Sequence, residues 1–222
     1  MPLKYPFVLL LAMLPACAFE ARAGASLFVD DAAVTPRGRC QVETWARIYF
    51  PGREATAVPA CNVGGTEFGL GISHYGHPVY GPVFNLGAKH VFHDLDAHGW
   101  GIGASLGTTW NSGHRDWEGW NLNVPASFAL DPQHRTVVHA NVGWNKLRHR
   151  KGRPTGGLGV EHVLDDRWTL LAEAYTDHVV LAEAGVRRQI GENASFDVLV
   201  GHQGGANAGP WLTLGFNVLL PD

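Results

Sequence analysis

The chain has 222 residues, of which 17% are charged, and a formal net charge of −3, so it carries no basic signature for nucleic acid and suits one domain. Gly is abundant at 28 residues, and beyond the N-terminus no run approaches the roughly 20 continuous apolar residues of a membrane helix. A helical membrane protein is thereby excluded, and export is indicated by how the chain begins.

Residues 1–23 read as a secretory signal peptide: Lys4 in a short basic head, an apolar run from Phe7 to Phe19, and Ala21-Arg22-Ala23 before Gly24. An alternative reading of Leu14-Pro15-Ala16-Cys17 is a lipoprotein signal with lipid on Cys17. Residues 24–39 are expected to be a periplasmic N-terminal segment and residues 40–222 an outer-membrane β-barrel. Two cysteines remain after cleavage, Cys40 and Cys61. In an exported chain such a pair points to a disulfide more than to a metal site, which needs more ligands at close spacing. Both lie near one end of a first hairpin, spaced evenly about Phe50-Pro51.

From residue 40 onward apolar and polar residues alternate with period two, and no helical periodicity of useful length occurs. The expected strands run over about 40–50, 55–63, 66–74, 81–92, 100–109, 120–130, 136–145, 155–163, 168–175, 180–190, 195–202 and 210–219. Pro59 makes the second the weakest assignment, because proline cannot donate to a ladder. "DPQHR", "LDDR" and "GENA" follow even-numbered strands and are short, as is "HDLDAHG"; "NSGHRDWEG", "LRHRKGRP" and "QGGANAG" follow odd-numbered strands and are longer. Such sorting is the pattern of an outer-membrane barrel with both chain ends in the periplasm.

Aromatic residues gather at strand ends: Trp110, Trp120, Trp144, Tyr175 and Trp211 on the long-loop rim, and Phe92, Trp100, Phe128, Trp168 and Phe196 on the other. Bilayer headgroups are where amphipathic rings settle. Between the belts, residues such as Ile72, Leu86, Leu122, Val142, Leu158, Leu170 and Leu214 form a lipid-facing band. The other face of the same strands carries the lumen-lining candidates Glu43, Arg47, Glu67, Asn85, Lys89, Asn121, Asn123, His139, Asn141, Glu161, Glu173, Glu183, Arg187 and Asp197 among Gly and Ser. In "GWGIGASLGTTW", residues 99–110, the inner set (Gly101, Gly103, Ser105, Gly107, Thr109) is small, which suits a crowded interior. A soluble β-sandwich would leave this polar face unexplained. The fold expected is all-β: a closed antiparallel transmembrane barrel of about 12 strands, with 10 as the alternative, since hydrocarbon cannot satisfy an open sheet edge.

"LFVDDAAVTPRGRCQVET", Leu27 to Thr44, resembles the opening of the transporter-like outer-membrane barrels of the meta-pathway of phenol degradation. Asp30-Asp31 and Gly38-x-Cys40-x-Val42-Glu43 stand where that family has a Thr/Val-Asp-Asp stretch and a Gly-x-aromatic-x-Leu-Glu lead into the first strand. "FNLGAKHVFHDLDAHGWGIGASLG" is similar to its middle hairpin. The resemblance implies passage of small, often hydrophobic, molecules across the outer membrane of a Gram-negative bacterium. Cys40 departs from the usual apolar residue, and the chain ends "GFNVLLPD" without a terminal aromatic, leaving Phe216 and Leu220 to serve the barrel-assembly machinery.

Glu173 and Glu183 are equally spaced about His178 and so face each other across a hairpin, with Glu161 and Arg187 nearby. They form either a cation-favouring constriction or part of an ion-pair network with Arg47, Lys89 and Arg187 that fills the barrel. Ser127, His139 and Asn141 are the residue types of barrel hydrolases, but the parity of their strands places them inside, away from lipid acyl chains. No catalytic residue, metal site or cofactor is assigned; His74 and His77 lack further ligands. Lys146, Arg148, Arg150, Lys151 and Arg153 form a basic loop suited to the phosphates of outer-membrane lipids and lipopolysaccharide. The function expected is a channel or transporter-like barrel for small solutes. The alternatives are a structural or lipopolysaccharide-interacting barrel with a filled lumen, and a barrel lipid-modifying enzyme.

Overall fold

Period-two alternation becomes twelve antiparallel strands: β1 (Cys40–Tyr49), β2 (Gly52–Val63), β3 (Thr66–Tyr75), β4 (Val83–His93), β5 (Trp100–Asn111), β6 (Asp116–Ala129), β7 (Thr136–Leu147), β8 (Arg153–Val163), β9 (Trp168–Thr176), β10 (Val180–Ile190), β11 (Ala194–Gln203) and β12 (Gly209–Leu219). This computed structural model describes residues 24, 26–49, 52–76, 81–205 and 208–221. The signal peptide, Cys17, the Phe50-Pro51 turn and His77 lie outside them. Each strand pairs with its sequence neighbours, and β1 closes on β12, from Gln41 opposite Leu219 to Tyr49 opposite Trp211. No open edge is left, so the backbone is satisfied within hydrocarbon. Strands of 9 to 14 residues match the length needed to cross at a tilt.

The outside is apolar. Leu86, Val142 and Leu158 are 59%, 70% and 63% exposed, as only a lipid-bathed face would leave them. Trp110, Trp120, Trp144, Phe92, Trp100, Phe128 and Trp168 are likewise exposed near strand ends. Tyr175 and Trp211 depart from the expected belt. Both point inward, where Phe28 stacks on Tyr175 and lies edge-on to Trp211. Their parity is that of Glu173 and Thr213, opposite to that of Leu212 and Leu214.

Pro59 does lie in a strand. The β2–β3 ladder skips Val58 and Pro59 between Ala57–Ile72 and Ala60–Gly69, while Pro59 still sits opposite Val42 of β1. Pro125 leaves the same kind of gap in β5–β6 and stays opposite Asn141. A missing donor thus costs the ladder on one side only. Cys40 and Cys61 are register partners with Cα atoms 4.0 Å apart, and they form the disulfide.

Two expectations are corrected. "HDLDAHG" contains a four-residue helix, α1 (Leu95–His98), capped by the Asp94 side chain, which accepts from Asp96 N and Ala97 N, and ended by Gly99 at φ 76°. The loops are also not sorted by length. Strands continue into the polar stretches, so the connections 112–115 and 148–152 are no longer than 94–99 and 130–135. Asn111 explains the first: its side chain accepts from Gly113 N and His114 N and closes the turn early. The chain ends, and not the loops, distinguish the two rims.

Candidate functional site

The lumen holds a bent guest segment from its own chain. Residues 24–39, expected in the periplasm, instead send Ser26 to Thr35 into the barrel, bending back at Ser26 to Val29, where Ser26, Val29, Asp31, Ala32 and Thr35 are buried. The wall meets this segment with side chains. Ser26 Oγ donates to Asp197 Oδ2 at 2.5 Å, and the N–H groups of Phe28 and Val29 each donate to one oxygen of Glu173 at 2.8 Å. Asp30 N donates to Asn141 Oδ1 at 2.8 Å, and Asn141 Nδ2 returns a bond to Asp30 O at 2.7 Å. Ala32 N reaches Ser127 Oγ at 2.8 Å; Thr35 gives its N–H, at 2.7 Å, and its hydroxyl to Glu67 Oε2. Arg47 Nη2 donates to Ser26 O, Asn62 Nδ2 to Thr35 O, and the Arg47 guanidinium lies 3.9 Å from the Phe28 ring centre.

Small inner residues make room for this guest. A Cβ on Gly157 would come within 2.7 Å of Val29 Cγ2, and one on Gly215 within 2.8 Å of Ser26 Cβ. The crowded space read from "GWGIGASLGTTW" is also real at Gly101, whose added Cβ would meet that of Ala32 at 3.1 Å.

The three inner cations are each paired. Arg187 grips Asp197 through Nε and Nη2 at 2.7 and 2.9 Å and lies 3.5 Å from Glu161. Lys89 reaches Asp30 at 2.7 Å and Asp31 at 2.9 Å, and Arg47 stands 3.6 Å from Glu54. The network therefore engages carboxylates other than the expected Glu173–Glu183 pair. Those two residues face each other in register, but Glu173 serves the guest's backbone, and Glu183 accepts from Trp211 Nε1 and Thr213 Oγ1, both at 3.0 Å.

Glu43, Glu67, Asn85, Lys89 and Asn121 line a cavity of about 230 Å³ between the guest and the β1–β6 side of the wall. Asn123 bonds Asn141 at 3.0 Å. His139 Nδ1 lies 2.8 Å from Ser127 Oγ, and both residues are shut off from solvent, at 1% and 0% exposure. No acyl chain in the bilayer reaches them, and their bonds hold the guest. Among the described residues no group of three or more His, Cys, Asp or Glu could hold a metal ion.

The sequence reading passes over Glu54 and Asn62, and it places Trp211 in the outer belt and the guest in the periplasm. Glu54 had a signal in its register opposite Arg47, and Trp211 had one in its parity. Ser26 to Thr35 carry no alternation to mark them.

Closed strands, an apolar belt and a polar interior define an outer-membrane β-barrel, located in the outer membrane. Residues 9–220 match the family described as "Uncharacterised conserved protein UCP029691", and the chain belongs to that family. No curated protein matches the chain significantly. Among solved structures it is similar to a KdgM porin (TM-score 0.66, 10% identity, 82% of this chain and 99% of that one). It is also similar to the KdgM porin in complex with disordered oligogalacturonate (0.64, 11%, 82% and 99%) and to the COG4313 outer membrane channel from Pseudomonas putida F1 (0.56, 10%, 86% and 98%). At these identities the likeness is one of fold. The phenol-pathway resemblance extends no further than this shared channel fold.

Proposed function

We propose that the protein is an outer-membrane channel that passes small polar solutes, with cations favoured, beside or in place of its N-terminal segment. The observation carrying this reading is the cavity beside Asp30 and Asp31, where Glu43 and Glu67 join them against the one lining cation, Lys89. Rings of carboxylates favour cations in pores. Val34, Val58 and Leu106 share this lining, so it is the excess of carboxylates that favours polar solutes over the hydrophobic ones implied by the phenol-pathway resemblance. Oligogalacturonate, the ligand in the KdgM complex, is a polyanion, and a carboxylate-rich lumen is a poor place for one. Exposed Arg148, Arg150 and Lys151 on the rim opposite the chain ends suit lipopolysaccharide phosphates. Phe216 and Leu220, 40% and 37% exposed, remain available to the assembly machinery.

A filled structural barrel is the second reading, favoured by the bonded guest itself. Planar-bilayer recording separates the two. A channel gives conductance and, in a salt gradient, a cation-selective reversal potential that Glu43→Gln weakens; silence under all applied voltages leaves the structural barrel.

A further inference from the structure

The bonds to the N-terminal segment have an unusual property. Five of its backbone N–H groups, those of Phe28, Val29, Asp30, Ala32 and Thr35, are accepted by wall side chains: Glu173, Asn141, Ser127 and Glu67. Backbone N–H groups are common to every peptide, so these acceptors read the main chain of a bent segment, Phe28 and Val29 turning consecutive N–H groups to one carboxylate, while Ser26, Thr35, Asp30 and Asp31 add side-chain bonds of their own. Two of the four acceptors are carboxylates, whose bonds to N–H are the strong, charge-assisted kind.

A second observation points the same way. On the strands flanking Glu173, further carboxylates are buried with acceptor capacity in hand. Glu161 is 1% exposed and neither of its oxygens accepts a hydrogen bond, its ion-pair contact being Arg187; Glu183 is 3% exposed and its Oε1 accepts none. Buried acceptors of this kind are costly unless a donor reaches them. The segment supplies N–H groups and the Ser26 and Thr35 hydroxyls, none of which reaches Glu161 or Glu183 Oε1; a solute bearing ammonium or guanidinium groups could serve the strip and its flanks together.

We propose that the inner strip from Glu67 through Ser127 and Asn141 to Glu173 is a binding site for N–H-rich cationic solutes, short basic peptides above all, and that residues 26–35 occupy it in cis as a displaceable plug. This rests on the channel reading and adds a solute class to it. Displacement is intramolecular competition: the tethered segment has a high effective concentration, so a competing solute needs donors that the segment lacks.

The test uses the full chain in liposomes, with trilysine and triglutamate as probes. Val29→Cys with Gly159→Cys places two Cβ atoms about 3.4 Å apart, close to disulfide geometry, and so locks the plug when oxidised. Wild type with and without reductant controls for Cys40–Cys61. Trilysine flux through the double variant should rise at least about tenfold on reduction, the change expected from freeing one charge-assisted bond, while triglutamate stays slow. In wild type, trilysine should speed hydrogen exchange at the Phe28 and Val29 amides, a readout that needs no variant to fold. Equal flux in both redox states, with exchange unmoved by trilysine, overturns the proposal. Faster exchange without any flux keeps the binding site and overturns the channel reading instead.

Discussion

Glu173→Gln is the most informative single change in the barrel. The wild-type carboxylate takes the Phe28 and Val29 N–H groups on separate oxygens, both at 2.8 Å. A glutamine keeps one acceptor and turns an amide N–H₂ toward the other donor, so one charge-assisted bond, about 1.5–3 kcal/mol, is lost. Against this, Glu173 stands directly opposite Glu183, and removing one of two facing carboxylates returns up to about 1 kcal/mol. The net loosening of the segment is on the order of 1–2 kcal/mol, a factor of roughly 5–30 in the population of the released state. Hydrogen exchange followed by mass spectrometry should show faster exchange over Phe28 and Val29, with Ala32, anchored separately by Ser127, affected less. The ladder amides of β9 and β10 should keep their protection, since the substitution touches no ladder bond. Unchanged exchange at both Phe28 and Val29, in a barrel that still shows heat-modifiable migration on gels, refutes the view that Glu173 holds the segment in place.

Other perturbations reach the same architecture from different sides. Gly157→Ala should loosen Val29 by about 1–3 kcal/mol through overpacking, read as faster exchange at its amide, because the added methyl meets Val29 Cγ2 at 2.7 Å. Replacing Cys40 and Cys61 together by serine should lower stability by roughly 2–3 kcal/mol in reversible urea unfolding, since the bridge closes a 21-residue separation; thiol labelling of denatured, unreduced wild type should find neither cysteine reactive. Asp131, in the β6–β7 turn, accepts from the backbone N–H groups of Arg135, Thr136 and Gln133, and these bonds hold its carboxyl below the ordinary carboxylate value. Its small contribution is therefore present above the unfolded value and lost as pH falls through the lowered one, below about pH 4. Asp131→Asn should flatten that acid-side loss in a pH series of melting temperatures by lowering the neutral value by the same small amount, leaving the value below about pH 3 nearly unchanged.

What the sequence made legible follows from one periodicity. A strand buried on one side and bathed in lipid on the other must alternate, and a one-residue slip would turn every side chain to the wrong face. Alternation therefore located all twelve strands, including β2, which Pro59 made doubtful. The inner position of Glu173 and Glu183 came from the same rule, applied to their even spacing about His178. Where the rule was not applied consistently the reading went astray: Trp211 was assigned to the outer belt although Leu212 and Leu214 already claimed that face. Loop lengths misled for a different reason. Polar residues in "NSGHRDWEG" read as loop, but a barrel strand that rises above the membrane is polar on both faces and still pairs, as Asn111 does with Asp116.

The inserted segment was illegible for a deeper reason. Neither side of Ser26 to Thr35 faces lipid, so nothing imposes period two on it. Its main-chain bonds to the wall leave no periodic mark on its sequence, and its side-chain contacts, Ser26 to Asp197, Phe28 to Arg47, Asp30 and Asp31 to Lys89 and Thr35 to Glu67, follow a bent path. The marks of its presence are on the host: inward glycines at 101, 157 and 215 where a Cβ would collide, and carboxylates at 67, 173 and 197 that meet N–H or O–H donors. A lumen filled only by its own side chains would carry bulk at the glycine positions, and a wide water-filled pore would have no need to be small there. Small residues facing a row of acceptors describe a groove shaped for the peptide backbone that lies in it.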